Sequence, residues 1–548
     1  MQHCLNMKKI LVFLTLCSLV FISCTNSQED DKEKAEIEKK VSKRDYSITK
    51  ANAYSDLFLD SMRMEKFIAE KKFSDSIIRR MRSFYNTRNF QFAWFTSNGL
   101  TEQARGFWNL HEYFTTYVND SSSLQNKELV KKMDNLIIEE NMNVNGSNES
   151  IIETELTLTQ HFIDYTLQNY EKGYVKRKEM ERFIPRKKED IVALADSLIN
   201  KKHNDDKYFE DVNDNYRLLK DQLARYHKIT VAGGWPTVPA EIIKVKKGSS
   251  SPAVAILKKR LQITGDLPAA DSSQVFNDTL ELAVKNAEAR FGYNADGKIT
   301  EAFLKDLNVP AVERLKQILI NMNRMRWMPN KPEGNLLVAN IPEFVVHAYE
   351  GSNKVFSMNV VVGKEGHNTM MFTGDLNQIV FSPYWNIPPS IVRSEILPAM
   401  QNDPDYLARN NMEIVSENGD LPTIRQLPGP GNSLGKVKFL FPNSFNIYFH
   451  DTPAKSLFNR EKRAYSHGCI RLAEPEKMAN YLLRNNSEWT ASRISQAMNS
   501  GEEKYVKLKD PVPVFISYYT AWVDEQGRMN FREDIYEHDQ KIKNKMFL

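Results

Sequence analysis

The chain has 548 residues, of which 41% are hydrophobic, 11% aromatic and 26% charged, with Gly and Pro at 22 each; this excludes collagen-like, low-complexity and wholly disordered classes. At roughly 150 residues per domain it is long enough for about three to four domains. Lys and Arg total 74 against 70 Asp and Glu, and a net charge of +4 is too weak to build a phosphate-tracking surface, so nucleic acid is not expected as a partner.

The N-terminus reads as an export signal. Lys8 and Lys9 precede an apolar run over 10–22 that is too short to span a bilayer and suits the core of a signal peptide. The run ends at Phe21-Ile22-Ser23-Cys24, which resembles a bacterial lipobox with Phe21 in place of the usual Leu. That resemblance implies a signal over 1–24, diacylation of Cys24, and a lipid-anchored protein on the periplasmic side of the cell envelope. Residues 25–49 are charged and have little to bury, as expected of a tether. Three of the four cysteines, Cys4, Cys17 and Cys24, fall in the signal, which leaves Cys469 without a disulfide partner in the mature chain.

Residues 50–248 carry apolar side chains at spacings of three and four with few Gly or Pro, as in Phe58, Leu59, Met62, Phe67 and Ile68, and predict a helical domain. Residues 249–310 predict three short helices, marked by Val254, Leu257 and Leu261, by Leu280, Val284 and Ala287, and by the stretch from Thr300 to Leu307. With Phe276, Asp296-Gly297-Lys298-Ile299 and Leu307-Asn308, this segment resembles the small peptidoglycan-binding domain, although Ala287-Glu288 stand where that family has an aromatic and Gln. A connecting helix is expected over 311–334. From 335 the pattern changes to short β-type runs separated by Pro, Gly or Asn, and a mostly-β domain is expected over 335–518, with a C-terminal extension over 519–548. Within it, residues of about 385–435 carry Pro388, Pro389, Pro398, Pro404, Pro422, Pro428 and Pro430, which predicts an irregular excursion of the kind that serves as a lid. The fold class is thus multidomain α+β.

The chemistry concentrates at Cys469. A thiol becomes a nucleophile when a neighbouring imidazole removes its proton, and an ion pair with a histidinium lowers the thiol pKa below about 8.5. His450 and His467 are both close in sequence. His467 reaches the thiol from one constrained direction only, whereas His450 closes a strand that a loop can return beside Cys469, so His450 is the expected base. Gly468 permits unusual backbone angles that let N–H groups point at a developing oxyanion. His347 lies in an apolar strand and reads as a structural histidine. No Cys/His cluster has metal spacing and no phosphate-cradling Gly-rich loop occurs, so no metal and no cofactor are expected.

His450 followed by Ser466-His467-Gly468-Cys469-Ile470-Arg471 resembles the signature of the L,D-transpeptidase catalytic domain. Val361-Val362-Gly363-Lys364, Ser382-Pro383-Tyr384-Trp385-Asn386-Ile387-Pro388-Pro389 and Tyr448-Phe449-His450-Asp451-Thr452-Pro453 resemble the family's large branch, in which a helical scaffold and a peptidoglycan-binding domain come first. The resemblance implies that Cys469 attacks the amide before the terminal D-Ala of a tetrapeptide stem and passes the acyl group to a diamino-acid side-chain amine on a neighbouring stem. It makes His450 the base, oriented by the Asp451 carbonyl, and the amides of Gly468 and Cys469 the oxyanion hole. Ser466 and His467 would hold the loop and line the pocket. Arg471 would pair with a stem carboxylate, and Tyr384, Trp385 and Asn386 would line the substrate path under the lid. The partners implied are stem peptides, glycan and a membrane, and carbapenem-type β-lactams would acylate Cys469.

Two other readings compete. With water as acceptor the same thiol makes an L,D-carboxypeptidase or amidase. With an incidental thiol the chain is a non-catalytic lipoprotein that tethers peptidoglycan.

Overall fold

The structure, a computed structural model, describes residues 40–117, 124–139, 142–169, 183–200, 214–268, 271–329, 334–417 and 421–548. The signal, the lipobox with Cys24 and most of the tether lie outside the described residues. Among the described residues no helix is long and apolar enough to cross a membrane. The described residues of 1–104 and 120–188 form one compact unit, and those of 105–119 and 189–548 form a second. The expected edges at 248, 310, 334 and 518 all fall inside the second unit.

The first unit is mainly helical. Its helices include Ser61–Lys71, Asp75–Asn86, Lys127–Ile138 and Glu149–Asn169, beside a short hairpin of β1 (Phe95–Thr96) and β2 (Gly99–Leu100). Asp60, Ser74 and Asn126 cap three of these helices by accepting hydrogen bonds from first-turn amides, which sets where each begins. Met62, counted above on the apolar stripe, is 72% exposed; with the helix starting at Ser61, Met64, Phe67 and Ile68 form the buried face instead. Fully buried Glu155 accepts hydrogen bonds from Ala93 N–H at 2.7 Å and Trp94 N–H at 2.9 Å, and burial pushes its carboxyl up to about 7.

In the second unit, helices Ile191–Ile199 and Asp214–Val231 precede helices Pro252–Thr264, Asp278–Phe291 and Glu301–Leu307; each of these last three has a side-chain cap, and Gly265 and Gly292 end the first two of the three in the left-handed conformation. Helix Ala311–Met325 follows. The strands are β3 (Asn335–Asn340), β4 (Val345–Glu350), β5 (Asn353–Gly363), β6 (Phe372–Phe381), β7 (Trp385–Asn386), β8 (Met412–Ser416), β9 (Thr423–Gln426), β10 (Val437–Leu440), β11 (Phe449–His450), β12 (Ala464–Ser466), β13 (Ile470–Leu472), β14 (Lys504–Ser517), β15 (Ala521–Val523) and β16 (Met529–Phe531). Nine of them form one sheet in the order β12-β5-β13-β11-β10-β6-β14-β3-β4, and β4 also pairs with β5, so the hydrogen bonding closes on itself. Closure removes the long exposed edges that an open sheet must protect. Alternate residues turn inward, and Leu337, Val346, Val360, Leu376, Phe439 and Phe449 are fully buried in its core.

The proline-rich insertion is regular, contrary to the expectation of broken structure. Pro389 opens a helical run, where a missing N–H costs nothing, and the run continues from Pro389–Ile391 through a π-helical turn at Val392–Ile396 into Leu397–Asn402, with Pro398 just past the junction. With β7-β9-β8 as a small sheet and Ile387, Ile391, Val392, Ile396 and Ile424 as its own core, the insertion is a folded α+β element.

The segment after β14 is built into the unit. Tyr518, Ile535 and Tyr536 join the main core, and helix His538–Met546 places Asp539 against Arg324 of helix Ala311–Met325 in a buried ion pair. Thr520 Oγ1–H donates to Asp539 at 2.5 Å, and Asn321 Nδ2–H donates to Thr520 Oγ1 at 2.8 Å.

Candidate active site

β11 and β13 run parallel and side by side, with Phe449 opposite Ile470 and His450 opposite Arg471. Phe449 and Ile470 are fully buried in the core. Side chains alternate along extended backbone, so His450 of β11 and Arg471 of β13, with Tyr448 and Cys469 just before Phe449 and Ile470, share the outer face. This register sets the thiol and the imidazole on one face.

His450 is 4% exposed, and its Nδ1 lies 2.5 Å from the Asp451 carbonyl oxygen. A carbonyl only accepts, so Nδ1 carries the proton and Nε2 presents its lone pair. Burial, and after it the charge of Arg471, pushes the imidazole down to about 3, so the ring is neutral at physiological pH. The peptide that supplies this carbonyl is itself pinned. The Asp451 carboxylate accepts Thr452 N–H at 2.7 Å, Lys436 N–H at 2.8 Å and the Lys455 ammonium at 2.6 Å. It packs over Gly435, whose φ of +62° and lack of a side chain leave it room.

Cys469 lies between β12 and β13, is half-buried, and its thiol donates to the Asn446 carbonyl at 3.6 Å. Burial pushes it up to about 11, against the lowering effect of hydrogen bonding from Tyr448 and the charge of Arg471. The resting pair is therefore a neutral thiol beside a neutral imidazole. This corrects the expected thiolate–histidinium pair: both groups are too desolvated to hold opposite charges unaided. Iodoacetamide alkylation of Cys469 should accordingly climb about tenfold per pH unit from pH 7 to 9, measured by intact-mass kinetics; a plateau through neutral pH would show a pre-formed thiolate.

The nucleophile loop is braced from behind. Gly468 adopts φ +113°, and its N–H donates to Ser466 Oγ at 3.1 Å while Ser466 Oγ–H donates to the Cys469 carbonyl at 2.5 Å. Thr369 Oγ1–H donates to the Gly468 carbonyl at 2.7 Å, and the Tyr536 hydroxyl donates to the Gly363 carbonyl at 2.6 Å. Two expectations change here. The Gly468 amide already has an acceptor, so of the two expected oxyanion donors only Cys469 N–H is without one among the described residues. Buried Ser466 spends its hydroxyl on the loop and holds no free donor for a substrate.

His467 is exposed, and its Nε2–H donates at 2.8 Å to Glu395 of the insertion, with the His367 ring 4.9 Å away centre to centre. Arg471 meets no carboxylate among the described residues, and its Nε is buried without an acceptor. Trp385 and Asn386 belong to the insertion's sheet, paired with Gln426 and Arg425, and the Arg425 guanidinium stacks 4.2 Å from the Tyr384 ring centre. Among the described residues, none of these three hydrogen-bonds to Cys469. His347 is satisfied by Ser357 at 2.7 Å and Glu343 at 3.1 Å. Among the described residues no group of His, Cys, Asp and Glu suits a metal ion.

Sequence reasoning passed over Tyr448, Glu395 and Thr369. Tyr448 was within reach, because it stands two residues before His450 in a strand; the other two come from distant segments that only the fold brings near.

The closed sheet presents a cysteine and a tautomer-fixed histidine on one face. Residues 334–514 match the model of the L,D-transpeptidase catalytic domain, and residues 79–223 match that of a scaffold domain. The chain thus carries an L,D-transpeptidase catalytic domain preceded by a helical scaffold domain, in a multidomain α+β protein. A Haemophilus influenzae protein whose name places it provisionally among the L,D-transpeptidases is 30% identical over 243 residues, which cover 41% of this chain and 49% of that one. The chain spans about half the length of this curated relative. Among solved structures, an L,D-transpeptidase from Stackebrandtia nassauensis is similar at 12% identity and a TM-score of 0.23, covering 51% of this chain and 96% of that one. One from Mycobacterium smegmatis is similar at 15% identity and 0.20, covering 34% and 60%.

Proposed function

We propose that this protein forms peptidoglycan cross-links, with Cys469 as nucleophile and His450 as base. The observation that carries this reading is the shared outer face of β11 and β13, where the thiol, the Nε2 lone pair and an unpaired guanidinium converge. His450 Nε2 takes the thiol proton as Sγ attacks the carbonyl carbon of the diamino acid to D-Ala amide. Cys469 N–H donates to the oxyanion. The amide C–N bond then breaks, the proton passes from His450 to the departing amine, and D-Ala leaves behind a thioester. A side-chain amine of a neighbouring stem attacks the thioester, gives a proton to His450, and the thiolate leaves and is reprotonated. No ATP is needed, because the cleaved amide supplies the activated acyl group. Arg471 binds a stem carboxylate.

A carbapenem acylates the same thiol by opening its β-lactam ring. The N-terminal signal and Cys24 support export and a lipid anchor facing the periplasm, and residues 249–310 support attachment to glycan.

The test is mass spectrometry of a disaccharide-tetrapeptide incubated with the mature protein and with Cys469→Ala. A cross-linked dimer lacking one D-Ala, absent with the variant, is the expected result. Shortened stems without dimers would make it a carboxypeptidase, and no reaction of stems or carbapenem would leave the tethering reading.

A further inference from the structure

The peptide that joins Gly468 to Cys469 carries two groups at once, the Gly468 carbonyl and the Cys469 N–H. Thr369 Oγ1–H donates to that carbonyl at 2.7 Å, whereas the N–H has no acceptor among the described residues. A trans peptide is planar and points its C=O and N–H in opposite directions, so a bond that fixes the one aims the other. A hydrogen bond accepted by the carbonyl also polarises the unit and makes its N–H a stronger donor.

Thr369 is itself held by a closed set of hydrogen bonds. Its Oγ1 accepts Gly363 N–H at 2.9 Å, its own N–H donates to the Tyr536 hydroxyl at 3.3 Å, and that hydroxyl donates to the Gly363 carbonyl at 2.6 Å. Each hydroxyl gives one proton and takes one, which determines the direction of every bond in the set. Both side chains are buried, so bulk water does not compete for these groups. Tyr536 lies beyond residue 514, where the match to the catalytic domain ends, and its N–H is tied to the Tyr518 hydroxyl at 2.9 Å.

We propose that Thr369 is a positioning residue that aims and strengthens the Cys469 N–H as oxyanion donor, and that Tyr536 of the C-terminal segment holds Thr369 in place for it. This rests on the reading of Cys469 as an acyl-transfer nucleophile. As Sγ bonds to a carbonyl carbon, the π pair of that C=O moves onto oxygen and the Cys469 N–H meets the new charge, while Thr369 and Tyr536 keep their protons. Alkylation by iodoacetamide is different: sulfur bonds to a saturated carbon, iodide leaves, and no oxyanion arises. A displaced thiol therefore loses both reactions, and a misdirected donor loses acylation alone.

The experiment compares Thr369→Val, Thr369→Ser and Tyr536→Phe in the full mature chain by two rates at Cys469, acylation by a carbapenem and alkylation by iodoacetamide, both read by intact mass. Val keeps the shape of Thr without its hydroxyl, and acylation should fall about ten- to a hundredfold, short of the roughly 10²–10³ lost when an oxyanion donor is removed outright, with alkylation within about twofold of wild type. Ser keeps the hydroxyl and should restore acylation. Tyr536→Phe acts one bond further away and should give a smaller loss, roughly threefold, with the same split, which keeps the proposal testable if Thr369→Val fails to fold. Unchanged acylation in the folded Val variant, a parallel fall of both rates, or no rescue by Ser overturns the proposal. A wild-type protein that shows the split yet releases no D-Ala from stems would sink the transpeptidase reading and leave the positioning role standing; turnover of stems without the split would do the reverse.

Discussion

His450→Ala is expected to slow D-Ala release from a tetrapeptide about 10²–10⁴-fold while leaving iodoacetamide alkylation of Cys469 nearly unchanged. The split follows from the charge state of the pair. A neutral imidazole contributes nothing to the resting thiol but takes its proton once a carbonyl is poised for attack. Because burial and Arg471 push His450 down to about 3, kcat/KM for the wild-type protein should keep its base functional down to about that pH. Its acid limb then falls well below the 6.5 of an ordinary histidine. Stopped assays of D-Ala release across pH 4 to 9 check this. An acid limb near 6.5, or alkylation that collapses with the Ala variant, would restore a thiolate–histidinium pair.

Arg324→Met should cost the second unit about 3–5 kcal/mol at neutral pH, because it leaves the Asp539 carboxylate buried beside Thr520 with no cation. For a unit of this size that is a fall in Tm on the order of 10 °C, readable by calorimetry. Burial already pushes Asp539 up to about 6 from an ordinary 3.8, with Arg324 acting to lower it. A raised carboxyl contributes its full stability below 3.8 and loses it as pH rises through 6. The deficit of the variant should therefore be largest above pH 6 and shrink toward pH 4, where Asp539 is protonated in both proteins. Adding Asp539→Asn should recover part of the loss. A fall of less than about a degree would mean that the pair does not hold the C-terminal helix.

Much of the fold was legible because it depends on local chemistry. The helices of 249–310 follow from their apolar spacing, their Ser251, Asn277 and Thr300 caps and the glycines that end two of them. Proline reads as a breaker along a sequence, whereas at a helix start, as at Pro389, it is a good first residue. Met62 was misread because a spacing of three or four does not say which turn the helix begins on.

By itself, the sequence determined that Cys469 stands in an SHGC loop with His450 upstream, and that helices lead into a mostly-β domain. Those are statements about residue identity and local period, which need no distant contact. Only the tertiary structure decided the protonation states, the donors and the braces. The parallel pairing of β11 with β13 sets His450 on the thiol's face, burial there favours the neutral form of both groups, and Ser466 takes the Gly468 amide. Desolvation and hydrogen-bond direction depend on what packs around a group, and Thr369, Glu395 and Tyr536 reach this site from segments that no spacing rule connects to it.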